Sequence, residues 1–244
     1  MKILGVETGD GRRGRRAEPG TLAHLLERNA ALRDVFAGQP RQQARLAELQ
    51  RWQSGRLLES HDDLHRDPRY RLAVEFFFNE LYGAGDPRAR DRDLARVQRV
   101  MERLLPAEAL RAMCLAIELE ILSQELDAAV VQALPAGPVT VESYAQAYRV
   151  AGRRPDRERQ ILLMAEIGGY LDRVVKKPVI RALVRLARGP AHAAGFGLLQ
   201  EFLERGLVAF EAMRGAEEFL ATLRGREWRW MERLFAGTAN PFED

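Results

Sequence analysis

The sequence predicts an all-α protein, a single compact domain of about nine helices. Three observations carry that expectation. Apolar residues recur at intervals of three and four through most of the chain, proline and glycine interrupt the repeat about one helix length apart, and no window alternates apolar and polar residues between turn signals as strands do.

Thr21 caps a first helix to about Ala37, with Leu22, Leu25, Leu26, Leu32 and Phe36 as its apolar positions. Gly38 and Pro40 stop it and begin a second over 41–66, where Leu46, Leu49, Trp52, Leu57 and Leu64 stand among charges. Asp67-Pro68 ends that helix. Residues 69–82 are apolar nearly all round, with Tyr70, Leu72, Val74, Phe76, Phe77, Phe78, Leu81 and Tyr82, so the helix they form is expected at the centre. Gly83, Gly85 and Pro87 form the turn after it. Residues 90–105 carry a single stripe of Leu94, Val97, Val100, Met101 and Leu104, and Pro106 opens the next helix.

Residues 107–134 have two apolar faces, one through Leu110, Cys114, Ile117 and Ile121, the other through Leu115, Leu119, Leu122 and Leu126. Two faces require neighbours on two sides, which predicts a second central helix. Thr140 caps a short helix to about Val150, with Glu142 near its positive end. Residues 156–187 form a long helix that Lys177-Pro178 kinks or splits. Gly189-Pro190 opens 191–213, and Gly215 opens 216–235. Residues 1–19 hold the glycine- and arginine-rich run Gly9–Arg16 and are expected as a disordered arm; 237–244 are expected as a flexible tail; 20–236 form the domain.

Composition narrows the function. The 244 residues include 38 Lys+Arg and 35 Asp+Glu, a net charge of +3, which is too small an excess to argue for nucleic acid. The four arginines of the arm add at most a salt-sensitive attraction. A lone cysteine, Cys114, allows neither an intramolecular disulfide nor a Cys-rich metal site. The longest strictly apolar run, Ala112–Ile117, is six residues, far short of a membrane span. No apolar signal region follows Met1, so a cytoplasmic location is expected.

Chemistry has few places to sit. Glu118 and Glu125, seven apart, share a helical face, and Glu75 and Asn79 share one with Tyr82. If the two central helices adjoin, these five residues line an acidic pocket suited to an acid–base pair or a ligand. The bland alternative is neutralisation by arginine, with Arg111 and Arg71 at helical spacing from Glu118 and Glu75. Glu120 and Asp127 are also seven apart. His61 and His65 at i, i+4 form a two-histidine metal candidate, without the Glu-x-x-His pairs of a di-iron site. The Gly168-Gly169 and Gly195-x-Gly197 pairs fall inside expected helices, where each glycine costs about 1 kcal/mol against alanine; close helix approach is the plain explanation. Trp228 and Trp230 point to different faces of the last helix, which makes them interface candidates. No serine lies in a nucleophile-elbow setting, and no phosphate-binding glycine loop is present. No cofactor is expected.

Three stretches carry a resemblance. They are Asp67-Pro68-Arg69-Tyr70 with Phe76-Phe77-Phe78-Asn79-Glu80-Leu81-Tyr82-Gly83, the run Glu118–Asp127, and Gly195-Phe196-Gly197 with Gln200–Gly206. Together the sequence resembles an uncharacterised family of bacterial helical proteins marked by a Phe-Phe-x-x-x-Leu-Tyr-Gly motif, over residues 20–235. The resemblance implies a bacterial cytoplasmic protein and draws attention to Tyr82, Gly83, Asp86 and Asp91; it implies no activity. The expected function is a non-enzymatic binding or scaffold protein that self-associates, its partner itself or another protein. The alternative is an enzyme or ligand binder, metal included, using the acidic pocket.

Overall fold

Proline, glycine and capping residues set the helix boundaries in the computed structural model of the protein, which describes residues 21–33, 36, 38–77, 94, 96, 98, 102, 103 and 106–243. The described residues form ten helices and no strand. These are α1 (Leu22–Arg33), α2 (Pro40–Ser60), α3 (Asp62–Arg66), α4 (Arg71–Phe76), α5 (Ala107–Ala133), α6 (Val141–Ala151), α7 (Arg154–Val175), α8 (Pro178–Ala193), α9 (Gly197–Met213) and α10 (Glu217–Ala236). The arm, residues 78–93 and most of 90–105 lie outside the described residues. None of the described helices is long and apolar enough to cross a membrane.

Several ends follow from local chemistry. Thr140 accepts from the Ser143 amide at 3.2 Å while Ser143 Oγ accepts from the Thr140 amide at 2.8 Å, a reciprocal cap at the start of α6. Lys177 is extended and Pro178 occupies the first turn of α8, so the expected 156–187 helix is two helices. The expected 41–66 helix is also two, because His61 leaves helical geometry (φ −124°, ψ 24°) between α2 and α3.

The boundary near residue 190 differs from expectation. Gly189-Pro190 lie inside α8, and the break falls at Gly195. Gly195 adopts φ +81°, its amide donates to the His192 carbonyl at 3.1 Å, and the Phe196 amide donates to the Ala191 carbonyl at 2.7 Å. This is a Schellman closure, which needs a left-handed residue and so suits glycine. Gly195 and Gly197 therefore flank a helix end rather than interrupt a helix.

α5 runs through three apolar clusters, which explains its two-faced pattern. Leu115 and Leu119 join Phe77, Leu163, Phe210 and Phe219. Ile117 and Ile121 join Leu22, Leu26, Leu94 and Leu199. Val130 and Val131 join Leu49, Tyr144, Tyr148 and Met231. Its main neighbours are α7, α1 and α6. α7 packs on α10 so closely that a Cβ on Gly168 would lie 2.3 Å from Leu220 Cδ2; close approach accounts for this glycine and not for Gly169.

Candidate ligand-binding cavity

Five helices contribute polar side chains to the wall of a cavity of about 90 Å³. Each contributes residues at helical spacing. α2 supplies Gln53 and Arg56, α5 supplies Ser123 and Asp127, and α6 supplies Tyr144 and Tyr148. α7 supplies Arg157 and Gln160, and α10 supplies Glu227 and Trp230. Phe242 closes the set from beyond α10. Residues 238–243, expected as a free tail, fold back, with the Thr238 amide on the Arg233 carbonyl and the Phe242 ring against Trp52, Tyr144 and Trp230.

The two guanidinium groups differ. Arg56 Nη1 lies 3.4 Å from Glu227 Oε1, and its guanidinium stacks over Trp230 and Phe242. Arg157 is only 6% exposed. Its Nη1 donates to Gln160 Oε1 at 3.3 Å and its guanidinium sits 4.4 Å from the centre of the Tyr148 ring. Its Nε has no hydrogen-bond partner, and among the described residues no carboxylate lies within 4 Å of it. Arg157 also sits in the first turns of α7, near the end of the helix that favours negative charge. A buried cation in that position is held against desolvation and against the helix dipole.

Asp127 is its counterpart. The carboxylate accepts from Gln53 Nε2 at 3.1 Å and Gln50 Nε2 at 3.4 Å, and no described cation lies at ion-pair distance. Burial pushes its carboxyl above the ordinary value of 3.8; the Gln53 hydrogen bond and the Arg157 charge pull the other way and do not cancel it. His61 is fully buried and its Nδ1 lies 3.0 Å from the Leu57 carbonyl. A carbonyl only accepts, so Nδ1 carries the proton. Burial lowers the pKa of the ring and keeps it neutral, edge-on to Trp230. Burial likewise raises the Tyr148 hydroxyl.

The Asp127 shift has a consequence for stability. A carboxyl with a raised folded-state pKa is protonated in both states below pH 3.8, where it costs nothing. The penalty grows as pH rises through the folded value and is complete above it. Asp127→Asn is therefore expected to unfold at higher denaturant than the parent at pH 7, the gain vanishing below about pH 4. Urea titrations at the two pH values check this; a variant less stable at pH 7 would contradict it.

The carboxylates expected to converge each meet a partner of their own. Glu118 accepts from Arg159 Nη2 at 2.8 Å and Nε at 3.1 Å. Glu125 accepts from Arg28 at 2.6 Å and from Arg153 at 3.2 Å. Glu75 lies 3.4 Å from His65 Nε2. Asn79 and Tyr82 lie outside the described residues. Arginine is the neutralising partner for Glu118 and Glu125, but Arg111, the expected partner of Glu118, lies 3.8 Å from Glu166 instead. His61 and His65 serve different surroundings, one in the core and one beside Glu75, because the helix breaks at His61. Among the described residues no group of three His, Cys, Asp or Glu side chains is placed to hold a metal.

Trp230 is 2% exposed and belongs to the cavity wall, while Trp228 is half-buried against the cluster that holds Tyr144, Tyr148 and Met231. The burial of Trp230 takes its ring away from the surface at which an interface was expected. Cys114 is half-buried, and burial raises its thiol pKa. Sequence reasoning noticed Asp127 as a helical partner of Glu120 and as the end of the Glu118–Asp127 run, assigned it no role, and passed over Arg56 and Arg157. One signal was present. The apolar stripe Ile161, Met164, Ile167 of α7 continues toward its start as Gln160 and Arg157, so polar residues occupy a buried face.

A model of the family described as a domain of unknown function (DUF8198) matches residues 33–241. No curated protein and no solved structure matches the chain.

Proposed function

We propose, from the premise that this chain belongs to the DUF8198 family of domains of unknown function, that it is a non-enzymatic binding protein whose cavity takes a small polar ligand through Arg157. One observation carries this reading: a guanidinium 6% exposed, with an unpartnered Nε and no carboxylate within ion-pair distance among the described residues, in the wall of a cavity. Structural arginines deep in a protein are ordinarily matched by carboxylates, since an uncompensated buried charge costs several kcal/mol. Other arginines with mostly buried side chains follow that rule, as with Arg56 at 3.4 Å from Glu227 and Arg226 at 2.6 Å from Asp63. Arg157 departs from it in the place where a ligand would supply the missing charge. A cytoplasmic setting suits the single protonated thiol.

Calorimetric titration with acetate, phosphate and glycine tests the reading. At least one probe is expected to bind the parent protein, and Arg157→Met is expected to lose that binding while keeping its helical circular dichroism. The variant should be at least as stable as the parent, because an apolar side chain of similar length replaces an unpaired buried charge. Binding of none of the probes, or equal binding by the variant, overturns it.

Self-association belongs to this reading through α8, where Val179 and Leu186 are 55% and 74% exposed on one face, with Leu183 between them. A light-scattering mass of more than one chain supports the contact, and a strict monomer removes it.

A further inference from the structure

We propose that the cavity selects a small zwitterion, an amino acid of the size of glycine or alanine, with its carboxylate on Arg157 and its ammonium on Asp127. This rests on the reading of the cavity as a ligand site and adds the ligand's chemistry.

The argument is one of charge matching. Five side chains of the acidic or basic kind line the cavity: Arg56, His61, Asp127, Arg157 and Glu227. Arg56 and Glu227 face each other at 3.4 Å, and His61 is neutral. That leaves one cation and one anion, neither within ion-pair distance of an opposite charge among the described residues. A ligand with only a carboxylate would satisfy Arg157 and bring a second negative charge to Asp127. A ligand with only an ammonium would satisfy Asp127 and repel Arg157. A molecule carrying both charges matches both groups and leaves the cavity's total charge unchanged.

The surroundings fit this assignment. Gln160 accepts from Arg157 and donates to Ser123 Oγ at 2.8 Å, and the Tyr148 ring lies against the guanidinium, so the cation is held in place before a ligand arrives. Gln53 holds Asp127 in the same way. The Trp230 ring forms part of the cavity wall, and its buried Nε1 has no hydrogen-bond partner, so its environment reports on what enters the cavity. A space of about 90 Å³ exceeds the roughly 10–15 Å³ that a single water needs, so it has room for a small ligand. The smallest amino acids are the zwitterions nearest to that scale.

Heteronuclear NMR of the full chain, read at the indole N–H of Trp230, with parallel calorimetry, tests the proposal. Glycine or L-alanine is expected to shift that resonance and release heat. Acetate and methylamine at the same concentration are expected to do neither, a comparison that needs no variant. Asp127→Asn and Arg157→Met, each checked for helical content, are expected to weaken glycine binding by about tenfold or more. Acetate binding as tightly as glycine, with Asp127→Asn unaffected, overturns the zwitterion and leaves Arg157 as a plain anion site. Silence from glycine, L-alanine, acetate, methylamine and phosphate alike overturns both this proposal and the binding function beneath it.

Discussion

Trp230→Ala is expected to lower the unfolding free energy by about 3–5 kcal/mol, the range for deleting a buried aromatic side chain. The ring is 2% exposed and touches three kinds of neighbour. His61 meets it edge-on at 5.1 Å, Phe242 packs on it at 6.1 Å, and the Arg56 guanidinium stands 5.3 Å from its centre. Its removal forfeits the transfer term of a large apolar group and the attraction of a desolvated cation for the ring. The space left would merge with the cavity that Arg56, Asp127 and Arg157 line, so water can enter and limit the cost to the lower part of the range. Urea denaturation followed by circular dichroism measures it, and the thermal midpoint should fall by roughly 10 °C for a chain of this size. Arg224→Ala, on the exposed face of the same helix, is expected to change stability by no more than about 0.5 kcal/mol. Similar losses for the two variants would mean that Trp230 is not part of the core.

Gly168→Val is expected to destabilise by about 1–3 kcal/mol, the cost of overpacking a filled interior. The first added carbon alone would come within 2.3 Å of Leu220 Cδ2 and 2.8 Å of Cδ1. Leu220 is buried between α7 and α10. Because the obstacle is one side chain, truncating it should relieve the clash. The pair Gly168→Val with Leu220→Ala is expected to be more stable than the sum of the single losses, by about 1 kcal/mol or more in a double-mutant cycle. Gly169→Ala supplies the opposite sign. Its new methyl meets nothing nearer than Arg173 Nη1 at 3.7 Å, so it should gain up to about 1 kcal/mol of helix propensity. Two adjacent glycines with opposite responses would place the α7–α10 approach at Gly168; equal responses would argue against it.

These expectations differ in how far the sequence foreshadowed them. That some of the mid-helix glycines mark a close approach was legible, since glycine within a helix needs compensation. Which of Gly168 and Gly169 does so was not, because the answer depends on where Leu220 of another helix arrives, 52 residues later in the numbering. Gly195 was misplaced for a related reason. Its Schellman bonds are local, but an apolar repeat on both sides, Leu183 to Leu186 and Leu198 to Leu203, conceals the break. Glu118 and Glu125 were recognised as side chains in need of arginine. Their partners, Arg159 and the pair Arg28 and Arg153, are distant in the chain and none stands at helical spacing from its acid.

What the sequence determined by itself was the set of helices and most of their ends. Apolar spacing is a property of neighbours within one turn, and caps such as Thr140 and breaks such as Pro178 act through bonds a few residues long. The all-α class and the central place of α5 follow from that. Only the tertiary structure decided which charges are matched. With 35 arginines and 35 acids, any one of them has many candidate partners, and chain order does not rank them. Burial and distance do. They pair Arg188 with Glu204 at the surface and leave Arg157 and Asp127 facing one cavity, because ionic attraction is set by separation in space and by the water excluded around it.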